Sequence, residues 1–205
     1  MLRLHKKWVF IVGICLTACV AAVVYLSIIQ SANKKNTLSD QWVVDQPKQA
    51  SLAAFVPGEL ELVDIATGKS QRYFGRGYTL PALGLVHYWA TWCAPCAEEL
   101  PRFIALSKKF SQVNFFLISV DETLPEAKTF LFQKLKVQAV PNLVMLFDPT
   151  GDSASGWGTQ KLPETYLMSP QGVIFDKFIG PKNWNESKYL TYIQGLIGSL
   201  SSLKH

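Results

Sequence analysis

Cysteine is scarce in this chain, which has only four cysteines among its 205 residues. That number is too low for a disulfide-dense scaffold, and a chain of this length buries a core without disulfide staples. Charged residues are also few, at 17%, while aromatic residues reach 12%, which argues against intrinsic disorder. No internal repeat or low-complexity block is present. The composition therefore predicts one folded domain with additional segments.

The body of the chain lacks an excess of basic residues. The net charge is +5, from 20 Lys and Arg against 15 Asp and Glu, but Arg3, Lys6 and Lys7 all lie at the amino terminus. Without these three, 17 basic residues face 15 acidic ones. A nucleic-acid surface needs clustered Lys and Arg on a strongly basic domain. We therefore expect no nucleic-acid partner.

A second pair of candidate ligands for a structural zinc ion is also lacking. Such a site normally takes four Cys or His ligands. Outside the amino-terminal 29 residues, the only candidates are Cys93, Cys96, His87 and His205. The cysteines form one pair and no second pair exists, which argues against structural zinc.

One long hydrophobic run is present, from Trp8 to Ile29, and it contains no charged residue. At about 1.5 Å per residue, a helix over this run crosses a hydrocarbon core of roughly 30 Å. The pattern predicts a cytoplasmic stub at residues 1–7, a transmembrane anchor at 8–29, a linker at 30–56 and a globular domain at 57–205.

Two alternatives to an uncleaved anchor stay open. The segment Leu16–Cys19 resembles a bacterial lipobox, which would make Cys19 a lipidated amino terminus. A signal peptide cleaved after Ala32 is the other alternative, although the apolar run is longer than such peptides carry. The basic stub favours an orientation with the globular domain exported.

Strand and helix patterns alternate through the globular domain. This order predicts an α/β fold, with a mixed central sheet flanked by helices. Predicted strands cover residues 59–65, 83–90, 113–120, 143–147, 165–168 and 173–179, and predicted helices cover 93–110, 125–135 and 185–203.

Cys93 and Cys96 lie where the strand at 83–90 passes into a helix. Two thiols separated by two residues can close and reopen a disulfide, and a helix amino terminus favours a thiolate on the first. We predict that Cys93 attacks, that Cys96 resolves the mixed disulfide, and that this redox-active pair needs no cofactor. Cu(I) binding by both thiolates, with Met145 or Met168, stays open, as do two inert buried cysteines.

The segment LVHYWATWCAPCAEELP at residues 85–101 resembles the active-site signature of thioredoxin-fold proteins, in particular the TlpA/ResA/CcmG (DsbE) branch. Pro101 matches the proline that kinks the first helix of this fold. The similarity extends over residues 57–203 and implies a thioredoxin-like fold. Residues 121–158 then match the extra helix–strand insertion of the branch.

The resemblance also implies a peptide-binding loop. The segment 161–165, with sequence KLPET, resembles the loop in which related proteins place a cis-proline beside the cysteines. Pro163 is the candidate for that proline, and Pro141 is a rival. The implied substrate contacts are Trp92, Pro95, Leu162 and Pro163.

Two residues near the cysteines are candidates for proton transfer. Glu99 matches an acidic position of the branch, with a solvated surface glutamate as the alternative. His87 lies six residues before Cys93, where related proteins carry Asp or Asn. It is either a proton shuttle for Cys96 or a histidine satisfied within the structure.

The function implied by the resemblance is reduction of disulfides in exported proteins such as apocytochrome c. We expect a monomer anchored by a single span in the bacterial inner membrane, with its catalytic domain in the periplasm and a membrane reductant of the DsbD or CcdA type as electron donor. Ala94 and Pro95 place no basic residue between the cysteines, which favours a reductase. The alternatives are a disulfide-forming oxidase and a Cu(I) metallochaperone for oxidase assembly.

Overall fold

A computed structural model describes residues 53–202, with side chains through residue 200. The predicted stub, the anchor at 8–29 and the linker up to residue 52 lie outside the described residues. Among the helices of residues 53–202, none combines the length and the hydrophobicity that a membrane crossing requires.

The described chain forms a seven-stranded mixed sheet in the order β2-β1-β5-β4-β3-β6-β7. β3, β4 and β5 are parallel to one another, and all other neighbours are antiparallel. The strands are β1 (Glu59–Asp64), β2 (Ser70–Phe74), β3 (Gly84–Trp89), β4 (Asn114–Ser119), β5 (Leu143–Phe147), β6 (Glu164–Met168) and β7 (Ile174–Ile179).

Four α-helices connect or follow the strands. They are α1 (Ala94–Lys109), α2 (Leu124–Thr129), α3 (Asp152–Gly156) and α4 (Ser187–Ser202), and α2 continues directly into a π-helix at Phe130–Lys134. The predicted α/β architecture with a mixed sheet is confirmed. The helix predicted at 125–135 is present, but its second half is π-helical.

Both faces of β3 are covered, and all six of its residues are therefore buried. They carry apolar or aromatic side chains apart from Gly84 and the polar His87. On one face, Val86 and Tyr88 join an apolar cluster that includes Trp157, just after α3. On the other face, His87 stacks on Phe103 of α1 with 4.5 Å between ring centroids. Side chains alternate between the faces of a strand, so this central strand reads as a continuous buried run.

The chain joins the sheet slightly before the predicted domain start at Pro57. Phe55 pairs with Ile174 of β7, with N–O distances of 3.0 and 2.9 Å. Its ring also packs edge-on against Trp157 at 6.4 Å.

The sheet register places three chain segments at one end of the fold. Tyr88, near the end of β3, pairs with Glu164 at the start of antiparallel β6. Trp89 pairs with Ser119 at the end of parallel β4. The cysteine motif, the loop before β6 and the chain after β4 therefore meet at the same edge of the sheet.

Candidate active site

Cys93 and Cys96 form a disulfide, with 2.04 Å between the sulfur atoms and 5.2 Å between the Cα atoms. Cys93 is the N-cap residue of α1, and Pro95 occupies the first turn, where the missing N–H of proline costs nothing. The Cys96 N–H donates to Cys93 Sγ at 3.3 Å. An N–H that has no partner within the helix thus already points at the sulfur that would carry the negative charge of a thiolate.

The two cysteine residues differ in exposure. Cys93 is 7% exposed, whereas Cys96 is 0% exposed. The only exposed surface of the pair therefore belongs to Cys93. This asymmetry supports Cys93 as the residue that contacts substrate and Cys96 as the internal partner.

The approach to Cys93 is flanked by exposed residues. Trp92 is 67% exposed, although a tryptophan normally buries most of its surface, and Pro95 is also exposed. A groove of about 330 Å³ lies beside the same loop, lined by Thr91 and by residues of α2 and the π-helix. The other lining residues are Pro125, Glu126, Thr129, Phe130 and Lys134.

Asp121 holds the loop that precedes the cysteines, and the sequence reasoning assigned it no role at the site. Its Oδ1 accepts hydrogen bonds from the N–H and the hydroxyl of Thr91, both at 2.7 Å, and its Oδ2 accepts one from Ser119 at 2.7 Å. Because the carboxyl ends of parallel β3 and β4 meet, the position of Asp121 just after β4 offered a clue.

Glu99 lies one helical turn after Cys96 and is buried, only 1% exposed, so it is not the solvated surface residue of the alternative reading. Burial raises its pKa from 4.5 to about 7. Hydrogen bonds from the Lys182 N–H and the Trp184 indole lower this pKa, as do the charges of Lys182 and Arg102, but burial outweighs them. Trp184 Nε1–H donates to Glu99 Oε1, while Oε2 has no hydrogen-bond partner. A carboxyl group with a pKa near neutrality can exchange a proton with a neighbouring thiol.

His87 is fully buried in β3, and its Nδ1 lies 2.8 Å from Thr165 Oγ1. Burial lowers its pKa from 6.5 to about 3, so the ring is neutral at physiological pH. Its stacking on Phe103 and its bond to Thr165 favour the structural interpretation over the proton shuttle. Its Nε2 is buried without a hydrogen-bond partner.

The Leu162–Pro163 peptide bond is cis, as the resemblance implied, and it is the only cis bond within residues 53–202, which leaves Pro141 trans. Pro163 is buried and Leu162 half-buried. The Pro163 carbonyl accepts a hydrogen bond from Gly180 N–H at 2.9 Å. The loop is thereby attached to the end of β7, and Leu162 packs against the apolar cluster that contains Tyr88 and Trp157.

A buried polar network supports this loop, and sequence reasoning did not find it. Lys177 Nζ lies 2.8 Å from Glu164 Oε1 and donates to the Gly158 carbonyl at 3.2 Å. The Tyr166 hydroxyl donates to the Trp157 carbonyl at 3.0 Å and lies 3.2 Å from Glu164 Oε2. The segment from Trp157 to Glu164 is therefore fixed at both ends.

The methionines considered as extra Cu(I) ligands do not lie beside the cysteines. Met168 pairs with Gly84 at the far end of β3, and Met145 pairs with Leu117 in the interior of the sheet. Within residues 53–202, no group of three or more His, Cys, Asp or Glu side chains is arranged to hold a metal ion.

Comparison with known proteins agrees with this geometry. The sequence pattern of the AhpC/TSA family matches residues 76–177, just under half of the chain. The chain is 30% identical over 128 residues to the thiol:disulfide interchange protein DsbE homolog of Paracoccus denitrificans, covering 62% of each chain. It is 33% identical over 115 residues to the thiol:disulfide interchange protein CycY of Rhizobium leguminosarum bv. viciae, covering 52% of this chain and 59% of that one. The similarity spans about three fifths of the length of these relatives.

The fold is shared with solved structures of lower identity. The solution structure of a thiol:disulfide interchange protein from Bacteroides sp. superposes with a TM-score of 0.55 at 20% identity, over 76% of this chain and 97% of that chain. The predicted thioredoxin-like fold is thereby confirmed for the described residues. Residues 76–177 are thus similar to the AhpC/TSA family, and the described residues form a thioredoxin-like fold similar to that of thiol:disulfide interchange proteins.

Proposed function

We propose that this protein is a thiol-disulfide oxidoreductase that reduces disulfides in exported proteins through Cys93 and Cys96. The observation that carries the proposal is the asymmetric pair at the start of α1, with Cys93 slightly exposed, at 7%, and Cys96 fully buried. A structural disulfide has no need of one accessible sulfur at a helix amino terminus. A disulfide-exchange enzyme needs it, because the thiolate that attacks must reach its client.

The reaction follows in two exchanges. The Cys93 thiolate attacks one sulfur of the client disulfide, forms a mixed disulfide and releases the other client sulfur, which takes a proton from solvent. Cys96, after losing its proton, attacks Cys93 Sγ and breaks the mixed disulfide. The second client sulfur then leaves and is protonated. The client gains two electrons and two protons, and the cysteine pair ends as the disulfide.

Glu99 is the proposed proton acceptor for Cys96. It lies on the same helix one turn away, and its pKa of about 7 suits proton exchange at neutral pH. The Glu99→Gln variant keeps an oxygen for the Trp184 indole but cannot accept a proton. We expect it to slow the second exchange and to accumulate mixed disulfide at neutral pH.

The loop at Pro163 is the proposed peptide-binding element. Its position at the start of β6, beside the end of β3, puts Leu162 and the cysteine motif at one edge of the sheet. An extended client segment can pair with backbone groups of such a loop while its disulfide reaches Cys93. Trp92 and Pro95 supply exposed apolar surface next to Cys93 in the chain.

The client class proposed is apocytochrome c, on the basis of the sequence resemblance to the TlpA/ResA/CcmG branch. We further propose that residues 8–29 anchor the protein in the bacterial inner membrane with its catalytic domain in the periplasm. A membrane reductant of the DsbD or CcdA type would restore the dithiol. The names of the curated relatives, thiol:disulfide interchange proteins, support the exchange chemistry.

Redox equilibration with glutathione tests the direction of the reaction. A reductase requires a potential well below that of a strong oxidant, whose value is about −120 mV. A measured potential near that value would instead support the disulfide-forming oxidase.

Trapping tests the client-facing role. In Cys96→Ser the second exchange is blocked, so Cys93 should retain its client as a mixed disulfide that mass spectrometry identifies. Cys93→Ser is the matched control and should retain none. Recovery of no disulfide-linked client from Cys96→Ser, together with failure of the wild type to reduce insulin, would overturn the proposal.

A further inference from the structure

Residues Gly180–Trp184, in the loop between β7 and α4, contact both halves of the candidate site. At its start, Gly180 N–H donates to the carbonyl of Pro163 at 2.9 Å. At its end, Trp184 Nε1–H donates to the Glu99 carboxylate. One short segment is therefore bonded both to the proposed peptide-binding loop and to the buried acid.

Trp184 is held in a rigid aromatic environment. The side chain is fully buried, and its ring contacts Phe103, Phe178 and Tyr189 with centroid distances of 5.7, 5.5 and 5.2 Å. Phe103 belongs to the same helix face as Glu99, four residues further on. The indole N–H is thus fixed toward the carboxylate and does not need to be ordered when Glu99 ionises.

Lys182 brings positive charge to the same place. Its half-buried ammonium donates to the carbonyls of Ile179 and Gly180, at 2.5 and 2.9 Å, which ties the side chain back onto the loop. Its charge lowers the pKa of Glu99, and burial lowers the pKa of Lys182 itself. Arg102 of α1 acts on Glu99 in the same direction but is exposed.

The surroundings of Glu99 contain few other titratable groups. Cys96 lies on the same helix as Glu99. Burial raises the pKa of Tyr189 of α4, and the charge of Glu99 adds to this effect. His87 of β3 is neutral and stacks on Phe103. Burial raises the pKa of the carboxyl and favours its protonated form. The indole N–H, the Lys182 N–H and the two cations oppose it.

We propose that the Gly180–Trp184 loop sets the protonation of Glu99, with Trp184 as a positioning residue for the carboxylate and Lys182 as its balancing charge. The inference deepens the proposed function and rests on it, because Glu99 is the proton acceptor for Cys96 there. In this arrangement the residues after β7 decide the pH range in which Cys96 can be activated.

The test is a direct titration of Glu99 by NMR in the purified full chain with ¹³C-labelled glutamate, its resonance identified by its loss in Glu99→Gln. We expect Trp184→Phe to titrate at a pH about one unit higher than the wild type, the effect of losing one hydrogen bond to a charged group. Lys182→Gln should also titrate at higher pH, and Lys182→Arg should stay close to the wild type.

Two matched controls separate the proposed effect from general damage. Trp157→Phe makes the same change at a buried indole whose N–H has no partner, and Lys108→Gln removes the same charge at the far end of α1. Both should leave the titration of Glu99 unchanged. Because Lys182 is only half-buried, its variants keep the test decisive even if Trp184→Phe does not fold.

An unchanged Glu99 titration in Lys182→Gln and in any folded Trp184→Phe would overturn the inference. The pH profile of insulin reduction, measured on the same variants, distinguishes the inference about the loop from the proposed role of Glu99 as proton acceptor. If the titration of Glu99 shifts to another pH and the pH profile of the rate does not, the loop sets the protonation of Glu99 as inferred. Glu99 is then not the proton acceptor for Cys96. If both move together, inference and mechanism are supported.

Discussion

Lys177 and Glu164 form a buried ion pair, with 2.8 Å between Nζ and Oε1. Glu164 directly follows the cis-proline at position 163. Lys177 also donates to the Gly158 carbonyl, and its ammonium lies 5.3 Å from the ring centre of Tyr166. Lys177 of β7 thus contacts both ends of the segment 158–164, which leads into β6. The pair is the most buried ion pair among the described residues, and it links β7 to the loop that contains Pro163.

Lys177→Met is expected to lower the free energy of unfolding by about 3–5 kcal/mol, because it leaves the Glu164 carboxylate buried without its partner. Urea denaturation measures this change. The KM for a disulfide-containing peptide should rise, since the loop that presents Leu162 loses its support, while the attacking thiolate is untouched.

The surface pair Arg72–Glu59, 3.4 Å apart and well exposed, provides the control. Arg72→Met should change the free energy of unfolding by no more than about 1 kcal/mol. Equal effects of Lys177→Met and Arg72→Met would show that the buried pair has no special role in the loop.

The ionisation of Glu99 should make stability depend on pH. Its pKa is raised to about 7 from 4.5, so the folded protein binds the proton more tightly than the unfolded chain does. The free energy of unfolding should therefore fall as pH rises through 4.5 to 7, by a total of about 3 kcal/mol. Glu99→Gln cannot ionise and should remove this loss, which denaturation at pH 5 and pH 8 measures.

Glu98→Gln serves as the control for that experiment, because Glu98 is the exposed neighbour of Glu99 on the same helix. Its pH dependence should match that of the wild type. A Glu99→Gln variant with the wild-type slope between pH 5 and pH 8 would contradict a raised Glu99 pKa.

Local sequence patterns predicted most of the sheet. β3 and β4 are buried on both faces and therefore read as apolar runs, and Ser169–Gly172 marks the turn before β7. The short helix α3 was not predicted. Its Ser and Gly residues resemble a turn, and the helix forms because the Asp148 carboxylate accepts the Ser153 N–H at 2.8 Å.

The site was predictable only where its residues are adjacent in sequence. Cys93, Cys96 and the cis bond before Pro163 each belong to a short motif. The partner of Glu99 was not predictable, because Trp184 lies 85 residues away and the contact depends on how the loop after β7 packs on α1. The burial of Glu99 was not predictable either, because it depends on the same packing and because an acidic residue on a helix is usually solvated.

His87→Asn separates a structural role from a catalytic one. The imidazole is neutral, with its pKa lowered to about 3, so the pH profile of insulin reduction should not change. Stability should fall by about 1–3 kcal/mol, because the stacking on Phe103 is lost and a cavity forms. The measurements are initial rates between pH 6 and pH 9 and urea denaturation. A displaced pH profile at unchanged stability would restore the proton-shuttle hypothesis.

Trp92→Ala tests whether exposed apolar surface beside Cys93 is used for binding. The side chain is 67% exposed, so its loss should change the free energy of unfolding by less than about 0.5 kcal/mol. If clients pack against it, KM should rise about tenfold or more with little change in kcat, since aromatic anchors carry much of the energy of an interface. Val56→Ala, at another exposed apolar residue, is the control and should leave KM unchanged. An unaltered KM in Trp92→Ala would mean that clients approach Cys93 from the Leu162 side alone.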